Sequence, residues 1–503
     1  MWLWDQAWYG EVSADLWYLL IHHPAQWVGA LIQAFGTKAP GVAWLGEFFV
    51  PLGQAFGSIE FGLLLSVLAT QFATLVLIYR IGREIGSVTT SLVGVLFVAA
   101  GPLYVAMAHQ YLVESLQVLT VTYFFWIAVA APELSRLRLL AHLLVASSLA
   151  LLAKGSSPLY CIFPGLVVVL GVIRAKCWVR DRSEGRRSLA ILIIGVFSAA
   201  ATAAWYSHNL VAVAEFMKNA AGGATSLYYG HTGAFIAKLV YWLRALQASF
   251  FVPFVLIALA ALALAGLGLF WKRRDVTRLR RSRLAVAAAL AEVLLLMVVF
   301  STQVNEENRY LLPLAPALAI CLMWVLSFGG ITVVRAAVCL MAVQFIMIHS
   351  QSLGLTSMKQ NVSYWLLPLQ RDRAAQAELT EVIQLTSGPG TEFRYSVVGV
   401  EFPWFNANSL SFYAAKGRLL TGRRNYFTSL GYAESDADRA WSRMEQMRSL
   451  YYLTTEADRQ PVPPDFLNQV SVPILKRVIS DPAFARVPFT SQLGIIVFRR
   501  LER

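Results

Sequence analysis

Apolar run follows apolar run in this chain, each close to the length that crosses a lipid bilayer. GLLLSVLATQFATLVLIY, FVPFVLIALAALALAGLGLF and VAAALAEVLLLMVVF are the plainest. A membrane-crossing helix needs about 20 predominantly apolar residues. Lipid offers the backbone no water, so each N–H and C=O must pair within its own segment, which a helix does. Composition agrees: 14% of the 503 residues are charged, against about 25% in a soluble protein. A polytopic helical membrane protein is expected.

The net charge of +13 is not spread along the chain. It concentrates in RAKCWVRDRSEGRRS (174–188) and KRRDVTRLRRSR (272–283), short loops between apolar runs. Lys and Arg resist translocation, so these loops read as cytoplasmic rather than as a nucleic-acid surface. Cys161, Cys177, Cys321 and Cys339 show no CxxC spacing and read as small apolar residues.

With the two basic loops inside, about ten spans alternate near 58–79, 88–107, 111–131, 137–152, 156–173, 189–206, 246–271, 284–301, 310–328 and 331–350. Three regions follow. Residues 1–57 form a first outer loop of short interfacial helices, with Trp17, Trp27 and Trp44 at headgroup depth. Residues 58–350 are the transmembrane domain. Residues 351–503 regain charge and form an outer α/β domain, with strands at YSVVGV, SLYYLTT and LGIIVFRR and helices at DRAAQAELTEVIQL and SDADRAWSRMEQMRSL. An outside N-terminus predicts either a further span upstream of residue 1, the favoured reading, or an unconventional insertion of the N-terminus. The Asn361-Val-Ser363 sequon reads as chance.

Polar groups gather at the expected outer ends of spans. WDQAWYGE carries Asp5, Trp8 and Tyr9; TKAPGVAWL carries Lys38; AHQYLVESLQ carries His109, Tyr111 and Glu114. LLAKGSSP carries Lys154, and NEENRYLLPLAP carries Glu306, Glu307, Arg309 and Tyr310. A charge at membrane depth is costly unless paired or wet, and so suggests a cavity or pathway. Each also has a structural reading: Asp5 as a helix cap, the cations snorkelling to headgroups, Glu114 solvated at its turn, Glu292 paired to another helix.

In order and company these motifs resemble the GT-C glycosyltransferases, especially the bacterial branch related to protein O-mannosyltransferases and lipid A aminoarabinose transferases. Asp5-Gln-Ala-Trp-Tyr9 matches an Asp-Glu-Ala-x-Tyr-like motif, and Lys38-Ala-Pro-Gly-Val-Ala-Trp-Leu a Lys-Pro-Pro stretch. GREIGSVTTSLVGVLFVAAGPLYVAMAHQYLVESL resembles the series that ends in an acid, here Glu114. LLAKGSSPLY resembles a Leu-Thr-Lys-Gly element, and NRYLLPLAPALAI an Arg-Tyr-Leu-Leu-Pro-x-x-Pro element. The resemblance spans roughly residues 1–350. It departs at Gln6, where the second acid is usual, and at Ala39.

The resemblance implies transfer of a sugar, with inversion, from a polyprenyl-monophosphate donor to a protein, lipid or glycan acceptor at the outer face of a bacterial inner membrane. Phosphate leaves without protonation by an acid, so the chemistry asks for one base and for cations. Asp5 is the expected base, with Glu114 orienting the acceptor or holding Lys38 or Arg309. Lys38, Arg309 and Lys154 are expected on the donor phosphate, and Trp8, Tyr9, His109, Tyr111 and Tyr310 around the substrate. No cofactor is required, and a divalent metal stays open. The partners expected are the lipid-borne donor, the acceptor and membrane lipids, and no nucleic acid. Two rivals remain: a lipid or solute transporter, and a non-catalytic membrane protein whose outer domain binds an envelope partner.

Overall fold

The computed structural model describes residues 2, 4–175, 182–273, 283–355, 373–387 and 395–501. Asn361, Cys177, residues 176–181 of the first basic loop and 274–282 of the second lie outside the described residues. The chain divides into two compact units. One comprises Met1–Ala30, Ala43–Leu63 and Leu369–Arg503; the other comprises Leu31–Val42 and Leu64–Pro368.

The helices run α1 (Trp4–His22), α2 (Pro24–Gln33), α3 (Gly41–Glu47), α4 (Val50–Ala55), α5 (Ile59–Ile85), α6 (Val88–Ala99) and α7 (Pro102–Ala108). They continue through α8 (Glu114–Ala130), α9 (Arg136–Ala153), α10 (Ile162–Arg174), α11 (Arg182–Gly222), α12 (Phe235–Phe250), α13 (Pro253–Arg273), α14 (Arg283–Thr302), α15 (Ala315–Ser327) and α16 (Gly330–Ser352). Among the described residues, eight helices are long and apolar enough to cross a membrane, or up to ten if each bent pair counts as one span.

Two expected spans are broken. The span at 88–107 bends by 64° between α6 and α7, where Gly101 precedes Pro102. Pro at the first helical position cannot continue the preceding hydrogen-bond ladder but starts a new helix well. The span at 246–271 begins earlier, at Phe235, and bends by 94° where Phe251 and Val252 precede Pro253. Such breaks free backbone groups where no lipid atom can bond them. One side chain serves both. Gln344 of α16 is fully buried, donates to Ala100 O at 3.1 Å and Phe250 O at 2.9 Å, and accepts from Val252 N at 3.1 Å. The expected span at 189–206 also proves longer, its helix running on to Gly222.

Glu292 is paired, but to backbone. It lies buried in α14 and accepts from Phe163 N at 3.0 Å. That N–H belongs to the first turn of α10, where donors lack intrahelical partners and a carboxylate is favoured by the helix dipole.

In the other unit, α17 (Arg373–Thr386), α18 (Ala407–Thr421), α19 (Ala437–Gln446) and α20 (Ser471–Ser480) surround a sheet of β1 (Tyr395–Val398), β2 (Tyr426–Ser429), β3 (Tyr451–Thr455), β4 (Phe484–Arg486) and β5 (Ile495–Arg500). The strand order is β2-β1-β3-β5-β4. β1 is parallel to β2 and β3, while β5 is antiparallel to β3 and β4. Alternate side chains feed two cores: Val398, Leu453 and Val497 pack with Leu379 and Leu410, and Val397, Tyr452 and Ile496 with Met444 and Ile474. Burial on both faces explains the unbroken apolar strands. β1, β3 and β5 fall where expected; the short β2 and β4 were not anticipated.

The first helix is longer than the short pieces expected. α1 has 19 residues and lays Tyr9, Gly10, Ser13, Ala14 and Leu16 into the unit's interior against α18. The SLSFYAAKGRL stretch lies within α18, with Leu410, Phe412 and Ala415 fully buried. A Cβ on Gly10 would stand 2.8 Å from both the Phe412 and the Trp2 rings, so this crossing needs glycine.

Candidate active site

Glu114 opens α8 and is 1% exposed, although it is the only acid in that first turn. Its carboxylate meets Lys154 Nζ at 3.0 Å and Arg309 Nε at 3.6 Å. Lys154 is the residue at which α9 ends, its backbone already extended at φ −163°. The acid therefore sits at a helix N-terminus and the ammonium at a helix C-terminus, the favoured sign at each. Burying an acid this fully is costly unless it is paired and hydrogen-bonded, and two cations supply that.

Arg309 stands in the 3₁₀ turn Asn308–Leu314, just before α15. A cation at a helix start is opposed by the dipole, and acids offset it: Arg309 Nε lies 2.7 Å from Glu307 as well as near Glu114. The Tyr310 ring closes the cluster, with Lys154 Nζ 4.4 Å and the Arg309 guanidinium carbon 5.9 Å from its centroid. Tyr160, from the LLAKGSSPLY motif, fixes this turn by donating to Tyr310 O at 2.9 Å. Three motifs separated by 40 residues and more of sequence thus build one site.

Lys38 lies in the same unit, on a segment fastened from two sides. Trp205 donates to Ala34 O at 3.0 Å and Asn209 to Ile32 O at 2.9 Å. The chain then turns through left-handed φ values of 64° at Phe35 and 68° at Gly36. Tyr111, wholly buried, donates to Val42 O at 2.7 Å; it clamps this segment. Gly41 passes so close that a Cβ would lie 2.5 Å from Leu152 O. Lys38 Nζ itself stands 5.7 Å from the Phe216 ring centre. The next residue, Met217, occupies the space beside Gly155, where a Cβ would come within 2.8 Å of its sulfur. The segment that carries Lys38 therefore runs beside the end of α9, which carries Lys154.

His109 is exposed and shares a 2.9 Å hydrogen bond with Ser352 Oγ, apart from the contacts of the Glu114 cluster. Beyond Arg309, the loop before α12 meets the 303–308 segment. Gly230 bridges Asn305, Glu306 lies 3.3 Å from His231 and 3.8 Å from Lys238, and Tyr241 donates to Glu306 O at 2.9 Å.

Asp5 belongs to the other unit, in the first turn of α1, partly exposed beside buried Gln6 and Tyr9 and half-buried Trp8. That turn is well held. Trp2 stacks on Phe412 at 4.9 Å and accepts at its carbonyl from Ser409 at 2.8 Å, while Trp4 donates to Glu401 at 3.2 Å. Further along, Arg424 bonds Glu11 and lies 3.0 Å from Asp15, which also meets Arg418 at 3.3 Å. Burial raises the Glu11 carboxyl to about 7, against the pull of Arg424. Trp27 donates to the buried Glu47 at 3.3 Å; burial raises Glu47 to about 7 as well.

Sequence reasoning left Glu307 and Tyr160 out of the site. The available signal was position: Glu307 is two residues before Arg309, and Tyr160 closes the motif that carries Lys154.

A family model described as dolichyl-phosphate-mannose-protein mannosyltransferase matches residues 37–206. No curated protein matches the chain. Among solved structures, ArnT from Cupriavidus metallidurans bound to undecaprenyl phosphate is 14% identical, with a TM-score of 0.58, covering 99% of this chain and 94% of its own. The same protein in the apo state gives 15% identity and a TM-score of 0.54, over 99% and 93%. An oligosaccharyltransferase from Archaeoglobus fulgidus, tethered with an acceptor peptide, is 12% identical with a TM-score of 0.50, over 100% of this chain and 70% of its own. At these identities the likeness is one of fold.

Proposed function

Starting from a chain with the GT-C fold, we propose an integral-membrane inverting glycosyltransferase that takes a sugar from a polyprenyl-monophosphate donor to an envelope acceptor at the outer membrane face. The observation that carries this reading is the convergence of Lys154 and Arg309 on one buried acid, Glu114. Around an acid 1% exposed, the two cations are 22% and 18% exposed, so both stay within reach of a ligand. Two partly exposed cations on a low-dielectric wall suit a phosphate that gains charge as it leaves.

In the reaction, the bond between the anomeric carbon and the phosphate oxygen breaks, and phosphate departs with the electron pair. Lys154 and Arg309 stabilise that charge, Arg309 through its planar fork and Lys154 as a point charge. The acceptor hydroxyl attacks from the opposite side, and Asp5 takes its proton. Positioned proton transfer of this kind contributes about 10²–10⁴-fold. Trp8 and Tyr9 flank the base, and Tyr310 offers an aromatic face beside the cations. The outer side of the C-terminal α/β domain, residues 351–503, and a bacterial inner membrane belong to the same proposal. So do the wider regions 1–57 and 58–350 as outer loop and membrane domain.

The test is transfer of radiolabelled sugar from polyprenyl-phosphate donors to membrane extracts, comparing the chain with Asp5→Asn. Transfer lost in a variant that still folds and binds donor supports the reaction class and the base together. Transfer that survives strikes Asp5 from its role. Silence from the parent with competent donors removes the transferase reading.

A further inference from the structure

A phosphate arriving at Arg309 meets a guanidinium already engaged. Its Nε lies 2.7 Å from Glu307 Oε2, and so does its Nη2. The two acids around this cation differ in kind. Glu114 is 1% exposed and held by two cations; Glu307 is 22% exposed and takes its cation from one. The Glu307 backbone is also tied down, its N–H bonded to Asn305 Oδ1 at 3.1 Å and its carbonyl to Tyr310 N at 3.1 Å. The side chain can therefore rotate off Arg309 while the turn keeps its shape.

We propose that Glu307 is an exchangeable counter-ion: donor phosphate displaces its carboxylate from Arg309, and the carboxylate returns to expel the product phosphate. Charge bookkeeping supports the exchange. Lys154, Arg309, Glu114 and Glu307 sum to zero, whereas without Glu307 the set carries +1. A sugar-bearing polyprenyl phosphate is a diester with one negative charge, which that +1 matches. The released polyprenyl phosphate is a monoester with up to two negative charges, which binds the bared cations more strongly. A returning carboxylate competes with it and speeds release. Glu307 on this account lowers affinity for phosphate and raises turnover, the reverse of a residue that merely positions Arg309.

The inference rests on the proposed function, and one experiment separates the two. Binding of polyprenyl monophosphate to the full chain in lipid nanodiscs is measured for the parent, Glu307→Gln, Glu307→Ala and Arg309→Gln. Removing a charge-assisted competitor of this kind should tighten binding by on the order of tenfold in both Glu307 variants, while Arg309→Gln weakens it. Product dissociation should slow in step in the Glu307 variants. Weakened binding in both Glu307 variants, with Arg309→Gln also weakened, overturns the exchange and makes Glu307 a positioning residue, the phosphate site standing. No binding by the parent, or none that depends on Arg309, overturns the functional reading itself.

Discussion

Gln344→Leu is the substitution whose cost the fold states most directly. The amide makes three hydrogen bonds, to Ala100 O, Phe250 O and Val252 N, and nothing of it is exposed. Leucine fills nearly the same volume and answers none of the three groups. A buried backbone group left unpaired costs about 1–3 kcal/mol. Three such groups, with some relief from adjustment at two bends, give about 3–6 kcal/mol. For a chain of this size that lowers the unfolding midpoint by on the order of 10 °C. Gln344→Glu separates bonding from packing, because it keeps the shape but turns an oxygen toward two carbonyls. Thermal unfolding of the purified chain in nanodiscs, followed by tryptophan fluorescence, reads both. A Gln344→Leu midpoint within about 2 °C of the parent, or a Gln344→Glu variant as stable as the parent, refutes the claim that one amide sustains both broken helices.

Three further outcomes follow from the geometry. Glu114→Gln and Lys154→Met should couple in a double-mutant cycle by about 2–3 kcal/mol, between the values for exposed and fully buried pairs, because one partner is 1% and the other 22% exposed; additivity of the two losses in unfolding free energy would mean the pair is idle. Glu47, raised by burial to about 7, contributes stability that is fully present below its unfolded value near 4.5 and lost as pH rises through about 7. Glu47→Gln should therefore flatten the fall in unfolding midpoint between about pH 5 and about pH 8.5, the remainder belonging to Glu11; an unchanged slope counts against it. Gly41→Ala should cost about 1–3 kcal/mol and reduce sugar transfer, since its Cβ meets the Leu152 carbonyl at 2.5 Å and must displace the segment bearing Lys38. Full activity in that variant would detach Lys38 from the reaction.

Much of this was legible in the residues, and the rest was hidden for definable reasons. Apolar runs mark spans because lipid imposes one backbone solution, and strands buried on both faces, such as YYLTT, announce themselves by unbroken hydrophobicity. β4 has three residues and β2 four, too few for a pattern to emerge. The breaks at Gly101 and Val252 were marked by prolines, yet whether a proline bends a span depends on a partner such as Gln344, 92 residues or more away. Each charge of the site could be flagged from its setting. Their meeting was only one of the alternatives open for Glu114, and Lys154 was not named as its partner, because Glu114, Lys154 and Arg309 are joined only by packing of α8, α9 and the turn before α15. Tyr111 shows the opposite limit: an aromatic beside polar neighbours reads as a substrate contact until its hydroxyl is found on Val42 O.

The unit that holds Asp5 is assembled from the two ends of the chain. Its first helix leaves the ribosome long before α18, the surface that covers Tyr9, Ala14 and Leu16. At about 5–20 residues per second, the roughly 400 intervening residues take on the order of 20–80 s to make. Through that interval α1 carries an uncovered apolar face. Docking of the helix that carries Asp5 thus waits on synthesis of α18, so a ribosome that stalls short of α18 yields a chain whose first helix is undocked.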